Sequence, residues 1–278
     1  METKYYIKDE CIYFNCEFNE SLDNYINVMK NCKKIIFSNY YDYVICIQTK
    51  NHFDPIYFKN IKNNKFNQPL NNCFDHQTQL KELFFGFYFN HPLNNSIARQ
   101  TQLVGLTFGN QFNKPLGNSL NNLTQLEQLT FGCYFNKPLT NSLNHLSQLS
   151  QLTFGYYFNQ PLTNSITQLT QLVELTLGNS FNQELNIPPN IKKLKLDCNN
   201  INLIDNLPNS IEELNFGLNF YLPLTNLPNS IKIISIDQFS KYNKELNNLP
   251  HFLEKLYLPN KYNKEIKNIN LKCVIVKK

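Results

Sequence analysis

The chain has 278 residues, 42% of them hydrophobic, which is enough to bury a large core, and its formal net charge is +5. Arg99 is the only arginine among 26 basic residues, so the arginine forks and clustered basic stripe of a nucleic-acid binder are missing, and the charge reads as solubility. No run of 18 apolar residues and no basic-then-apolar leader occurs, so neither a membrane span nor a signal peptide is expected.

The first 65 residues are rich in Tyr, Ile and Cys. "METKYYIKDECIYFNCEF" and "YYDYVICIQ" read as strands, and only Leu22 to Asn31 reads as a helix. Phe18-Asn19-Glu20-Ser21-Leu22, followed by Cys32, Ile35 and Phe37, keeps a spacing that returns later, since Phe18 to Cys32 equals Phe66 to Leu80. Residues 1–65 are therefore expected to form an N-terminal β-rich cap containing a degenerate repeat.

From residue 66 the chain becomes periodic. Phe66, Phe89, Phe112, Phe135, Phe158 and Phe181 stand 23 residues apart, and each is followed by an asparagine: Asn67, Asn90, Asn113, Asn136, Asn159 and Asn182. A second phrase, L-x-x-L-x-(F/L)-G, keeps the same interval, as in Leu126/Leu129/Phe131/Gly132. Its last two apolar residues are two apart and share one face of a short strand. Six of the eight glycines follow such a strand, where little room is expected. Pro69, Pro92, Pro115, Pro138 and Pro161 then hold the backbone extended or in a turn, and leucines three apart behind a Ser predict a turn or two of α or 3₁₀ helix. Burying the seven apolar side chains of one coil contributes roughly 10 to 20 kcal/mol. Ordering its 23 residues costs about 1 to 2 kcal/mol each, so coils must stack to be stable.

After Phe181 the spacing shortens. The corner phrase continues more loosely at Ile201-Asn202, Phe220, Tyr242-Asn243 and Tyr262-Asn263, and the strand phrase runs to Leu253/Leu256/Leu258 and Leu271/Val274/Val276. Corner aromatic to first strand leucine falls from 14 residues to 10 or 11, which predicts extended convex segments at Ile187-Pro188-Pro189, Leu207-Pro208 and Leu227-Pro228. Curvature should be stronger from 66 to about 180 than beyond.

These phrases carry a resemblance. L-x-x-L-x-F is similar to the leucine-rich-repeat strand. F-N-x-P-L, together with L-P-N-S-I at Leu207 to Ile211 and Leu227 to Ile231, resembles the FNIP repeat, a leucine-rich-repeat relative of social amoebae and large DNA viruses. The resemblance implies a curved right-handed solenoid over residues 66–278, about ten coils with a concave parallel sheet, acting as a protein-interaction surface. Many members carry an F-box in front, which would make the chain the substrate-recognition subunit of a ubiquitin ligase. No recognisable F-box stands in residues 1–65, so that element would be diverged or missing.

The repeated asparagines read as a structural amide ladder serving corner backbone groups that no strand pairs. Binding is expected on strand residues facing away from the core, above all Thr107, Thr130, Thr153 and Thr176, or on a rim of aromatics just past the glycines: Phe87, Tyr88, Tyr134, Tyr156 and Tyr157. The threonines also suit cross-strand pairing. The five histidines lack metal-ligand spacing, and no nucleophile elbow, P-loop or dinucleotide fingerprint occurs. The eight cysteines are scattered singly, as reduced thiols of a cytoplasmic protein would be. The expectation is a non-enzymatic module with an unknown protein partner, no cofactor, no nucleic acid and no membrane.

Overall fold

The computed structural model describes residues 4–37 and 64–277. It begins with a hairpin, β1 (Tyr5–Lys8) and β2 (Cys11–Phe14), the only antiparallel pair among the described strands. A 3₁₀ turn (Leu22–Tyr25) capped by Ser21 and a short helix (Ile26–Met29) lead to β3 (Lys34–Ile36). There follow β4 (Glu82–Phe84), β5 (Gly105–Thr107), β6 (Gln128–Thr130), β7 (Gln151–Thr153), β8 (Glu174–Leu177) and β9 (Lys193–Leu196). The series continues with β10 (Glu213–Phe216), β11 (Ile233–Ile236), β12 (Leu246–Asn247), β13 (Lys255–Leu258), β14 (Ile266–Lys267) and β15 (Val274–Lys277). Thirteen of these strands form one sheet in chain order, while β12 and β14 pair separately on the far side of the last coils. The architecture is a leucine-rich-repeat-like parallel β-solenoid of about 11 turns.

Register follows the repeat. Leu83, Leu106, Leu129, Leu152 and Leu175 are mutual partners, and Ile12 pairs Ile35 at the same interval. Ile35 pairs Leu83 across a longer stretch, yet the Phe37 and Phe66 rings stack at 4.2 Å just as Phe85 and Phe89 do at 4.1 Å. Phe66 thus takes the corner position for β3. The strand reading of Tyr40 to Gln48, with Cys46 and His52, lies outside the described residues.

The core is one continuous apolar cluster from Ile12 to Tyr262. Its spine is a double column of rings. Strand-end Phe85, Phe108, Phe131 and Phe154 each sit about 4 Å from their own corner rings Phe89, Phe112, Phe135 and Phe158, and the corner rings repeat at about 6 Å. Such a column needs coils packed at strand spacing, which the glycines permit. A Cβ on Gly132 would overlap Gly109 O and come within 2.6 Å of Asn110 Cα, so that position tolerates only glycine.

Three readings are corrected. Residues 66–180 form no helix: the convex side closes by successive i→i+3 bonds, such as Leu123 N to Leu120 O at 3.0 Å and Leu126 N to Leu123 O at 3.0 Å. Left-handed residues stand directly after the Pro-Leu step in several of these coils, at Asn94 (φ 47), Gly117 (φ 53) and Thr140 (φ 41). The short helix that does form on the convex side, Ile201–Asp205, lies in the later coils. There Asn200, not Ile201, takes the corner position. It is 6% exposed, and its side chain accepts from Leu203 N and donates to Gln183 O, while Ile201 is exposed. In the last strand Ile275 pairs Leu256 and Lys277 pairs Leu258, so these two stand in the core row and Val274 and Val276 face the other way, while Cys273, bonded to Asn270 O as Leu253 is to Pro250 O, packs against the core ahead of them. A 19-residue step replaces the expected one, because matching backbone register outweighs matching leucines to leucines.

Candidate functional site: concave face and aromatic rim

Strand alternation sends every second side chain away from the core. On that face Thr107, Thr130, Thr153 and Thr176 lie in register as mutual partners, each half-buried except Thr176, which is only 8% exposed. Gly105, Gln128 and Gln151 lie beside them, and the post-strand glycines complete the floor. This stretch of β5 to β7 carries no charged side chain.

On either side the face changes character. Toward the N-terminus Cys11, Tyr13 and Ile36 are buried in a second apolar cluster with Phe84 packed against them, and Tyr6 stacks on Tyr13 at 4.7 Å. Burial pushes the Cys11 thiol up to about 11. Toward the C-terminus the face is charged: Lys193 pairs Glu213 at 3.3 Å, and the half-buried Lys195 is pushed down to about 8 by burial, opposed by the carboxylates of Asp237, Asp197 and Glu174. Burial raises Asp197 in turn, against the Asn219 backbone N–H and amide donating to its carboxylate at 2.9 and 3.1 Å. Asp197 and Asp237 stand directly after β9 and β11, where earlier coils carry glycine. That in-phase replacement of glycine by aspartate is the mark of this cluster in the sequence.

The rim is the more exposed surface. Tyr88, Tyr134 and Tyr157 occupy the same place in their coils and are 43%, 40% and 42% exposed. Tyr134 and Tyr157 stack at 5.1 Å, and half-buried Tyr156 and Phe87 brace Tyr157 and Tyr88 edge-on at 4.8 and 4.9 Å with the same interplanar angle of 66°. Backbone bonds from Tyr134 N to Asn110 O and Tyr157 N to Cys133 O, both 2.9 Å, fix the row from coil to coil.

The asparagines run along the neighbouring corner. The side-chain oxygen of Asn67, Asn90, Asn113, Asn136 and Asn159 each accepts the backbone N–H of the next asparagine, ending at Asn182, at 2.9 to 3.0 Å. Asn19 starts the series by accepting from Asn67 N at 2.8 Å. These amides are occupied in holding coils together. Among the described residues no group of three or more His, Cys, Asp or Glu could hold a metal ion, and no helix is long and apolar enough to cross a membrane.

Comparisons place this geometry among known folds. Residues 181–219 match the FNIP repeat. CroV588, a giant-virus protein described as a novel circular leucine-rich-repeat structure, is 26% identical with a TM-score of 0.64. The match covers 96% of this chain and 41% of that one, so the chain spans about two-fifths of that relative's length. An internalin, InlF, from Listeria monocytogenes is 15% identical with a TM-score of 0.54 over 96% of this chain and 86% of its own, a likeness of fold alone. No curated protein matches.

Proposed function

We propose that this chain, an FNIP-repeat-containing solenoid of leucine-rich-repeat fold, is a non-enzymatic protein-interaction module whose anchor is the aromatic rim. The observation that carries the reading is the set of Tyr88, Tyr134 and Tyr157, each about two-fifths exposed, with Tyr134 stacked on Tyr157 and with Tyr88 and Tyr157 braced edge-on by Phe87 and Tyr156. Exposed aromatics on a fixed frame bind with little loss of conformational entropy, and they are typical interface anchors. The Thr107, Thr130 and Thr153 floor would extend the contact as a neutral surface, with Thr176 too buried to join it. Described residues 4–37 act as the N-terminal cap of the stack. The seven described cysteines are free, five of them buried, which suits a reducing, cytoplasmic setting. No observation favours the ubiquitin-ligase reading, since described residues 4–37 pair into the same sheet as the coils.

The test is affinity capture from the native cell with quantitative mass spectrometry, using wild type, Tyr134→Ser/Tyr157→Ser and Thr130→Lys/Thr153→Lys. The rim pair should lose the main partner at least tenfold with unchanged circular dichroism. Undiminished capture by both variants would reject the assignment, and enrichment of cullin-scaffold components would redirect it to the ligase reading.

A further inference from the structure

Five coils share an inward position three residues before the first strand leucine, held by Gln77, Gln100, Leu123, Leu146 and Leu169. All five are buried, at 2% exposure or less, and the same spacing in the cap gives Met29, which is buried too. Two amides therefore stand in adjacent coils within a row that is otherwise apolar. The Gln100 amide is anchored. Its Nε2 donates to Phe74 O at 2.6 Å, a carbonyl that also accepts the Gln77 backbone N–H at 2.9 Å. Because Phe74 O needs a donor, the bond orients the Gln100 amide and leaves Oε1 as its acceptor. Among the described residues Gln77 Nε2, Gln77 Oε1 and Gln100 Oε1 have no hydrogen-bond partner, although all three are sealed from solvent.

We infer that Gln77 and Gln100 form an internal water site, a polar joint in the core between the cap and the apolar coils that follow. Buried polar atoms are costly to leave unpaired, and folded proteins hold ordered water where such atoms cluster. A direct bond between the two side chains does not complete the set. Whichever way the Gln77 amide turns, Nε2 has one acceptor to offer itself to, Gln100 Oε1, and Gln77 Oε1 still lacks a donor. The missing group has to donate to a carbonyl oxygen, carry no charge in a row that runs from Met29 to Leu123, and fit an enclosure that leaves these amides 2% exposed. Water meets all three requirements. A metal cation would satisfy the oxygens but face the Gln77 amide hydrogens, and an anion would face both oxygens.

The test uses the full chain. A crystal structure fine enough to show ordered solvent should place a water within hydrogen-bonding distance of Gln77 Oε1. In solution the Gln77 side-chain amide should show nuclear Overhauser cross-peaks to a long-lived water. Thermal unfolding of Gln77→Leu, Gln100→Leu and the double variant supplies an independent measure. Each single change sets a leucine against the remaining amide, whereas the double change restores the apolar row of the later coils, so the double variant should melt above either single one. A dry contact between the two amides in the crystal, the lack of any water cross-peak, or a double variant that melts below both single ones would overturn the proposal.

Discussion

Replacing Asn136 by alanine isolates the ladder. Its side-chain oxygen accepts the Asn159 backbone N–H and the Gln160 side-chain amide, both at 3.0 Å. The substitution therefore strands two donors one coil away. A sealed unsatisfied donor costs about 1 to 3 kcal/mol, and water reaches this half-buried corner, so the lower figure applies to each, for about 2 kcal/mol in all. In a chain of this length that lowers the melting temperature by roughly 4 to 8 °C. Asn136→Asp keeps both acceptor positions and should retain most of the stability. Asn182 is the internal control. It sits in the same F-N phrase and its own N–H donates to the Asn159 oxygen, yet the next coil offers the Ile201–Asp205 helix, and its exposed amide serves no following donor. Asn182→Ala should cost under about 0.5 kcal/mol. Thermal and urea unfolding followed by circular dichroism would decide. Equal losses at the two positions, or no loss at Asn136, would refute the ladder as a source of stability.

Gly132→Ala, whose Cβ has only the backbone of the preceding coil to displace, should destabilise by about 3 kcal/mol or more, whereas Gly117→Ala, with open space but φ +53, should cost only about 1 to 2 in urea titrations. Thr140 holds φ 41 where Gly117 and Asn94 stand in earlier coils, so Thr140→Gly should raise stability by about 1 kcal/mol in the same assay. Lys195 titrates near 8 when folded against an ordinary 10.5, so the unfolded chain binds more protons between those values. Stability relative to Lys195→Met should therefore rise with pH across that window, by at most about 1.4 kcal/mol per unit, and a flat difference would contradict the burial of this lysine.

Much of this was legible in the residues. The 23-residue interval, the two-apart apolar pair and the glycine after it fix a strand, its dry face and its close stacking, because every interior coil meets a near-copy of itself and local chemistry repeats. The Asn row followed from the same translation, since a corner without strand partners needs an acceptor at that height. The convex helices did not follow: leucines three apart suit a helix and a string of tight turns equally, and the chain closes by turns even in the Phe158 coil, where no left-handed residue follows Pro-Leu. The last strand departs from the expected phrase because Leu271, Val274 and Val276 mimic the apolar pattern while register with β13 puts Ile275 and Lys277 in the core row, behind Cys273.

The sequence by itself determined the repeating unit, its direction and its buried side, since these depend on neighbours within a few residues. Which copy of a motif has work to do was left to the tertiary structure. Asn136 and Asn182 share a phrase but not a successor, Thr153 and Thr176 share a row but not an exposure, and Lys195 feels Asp237 only because stacking brings their coils together across the single intervening strand β10. The physical reason is that each side chain's surroundings come from the coil above and below, about 20 residues away, and where the interval changes length that neighbour is set by packing and backbone register.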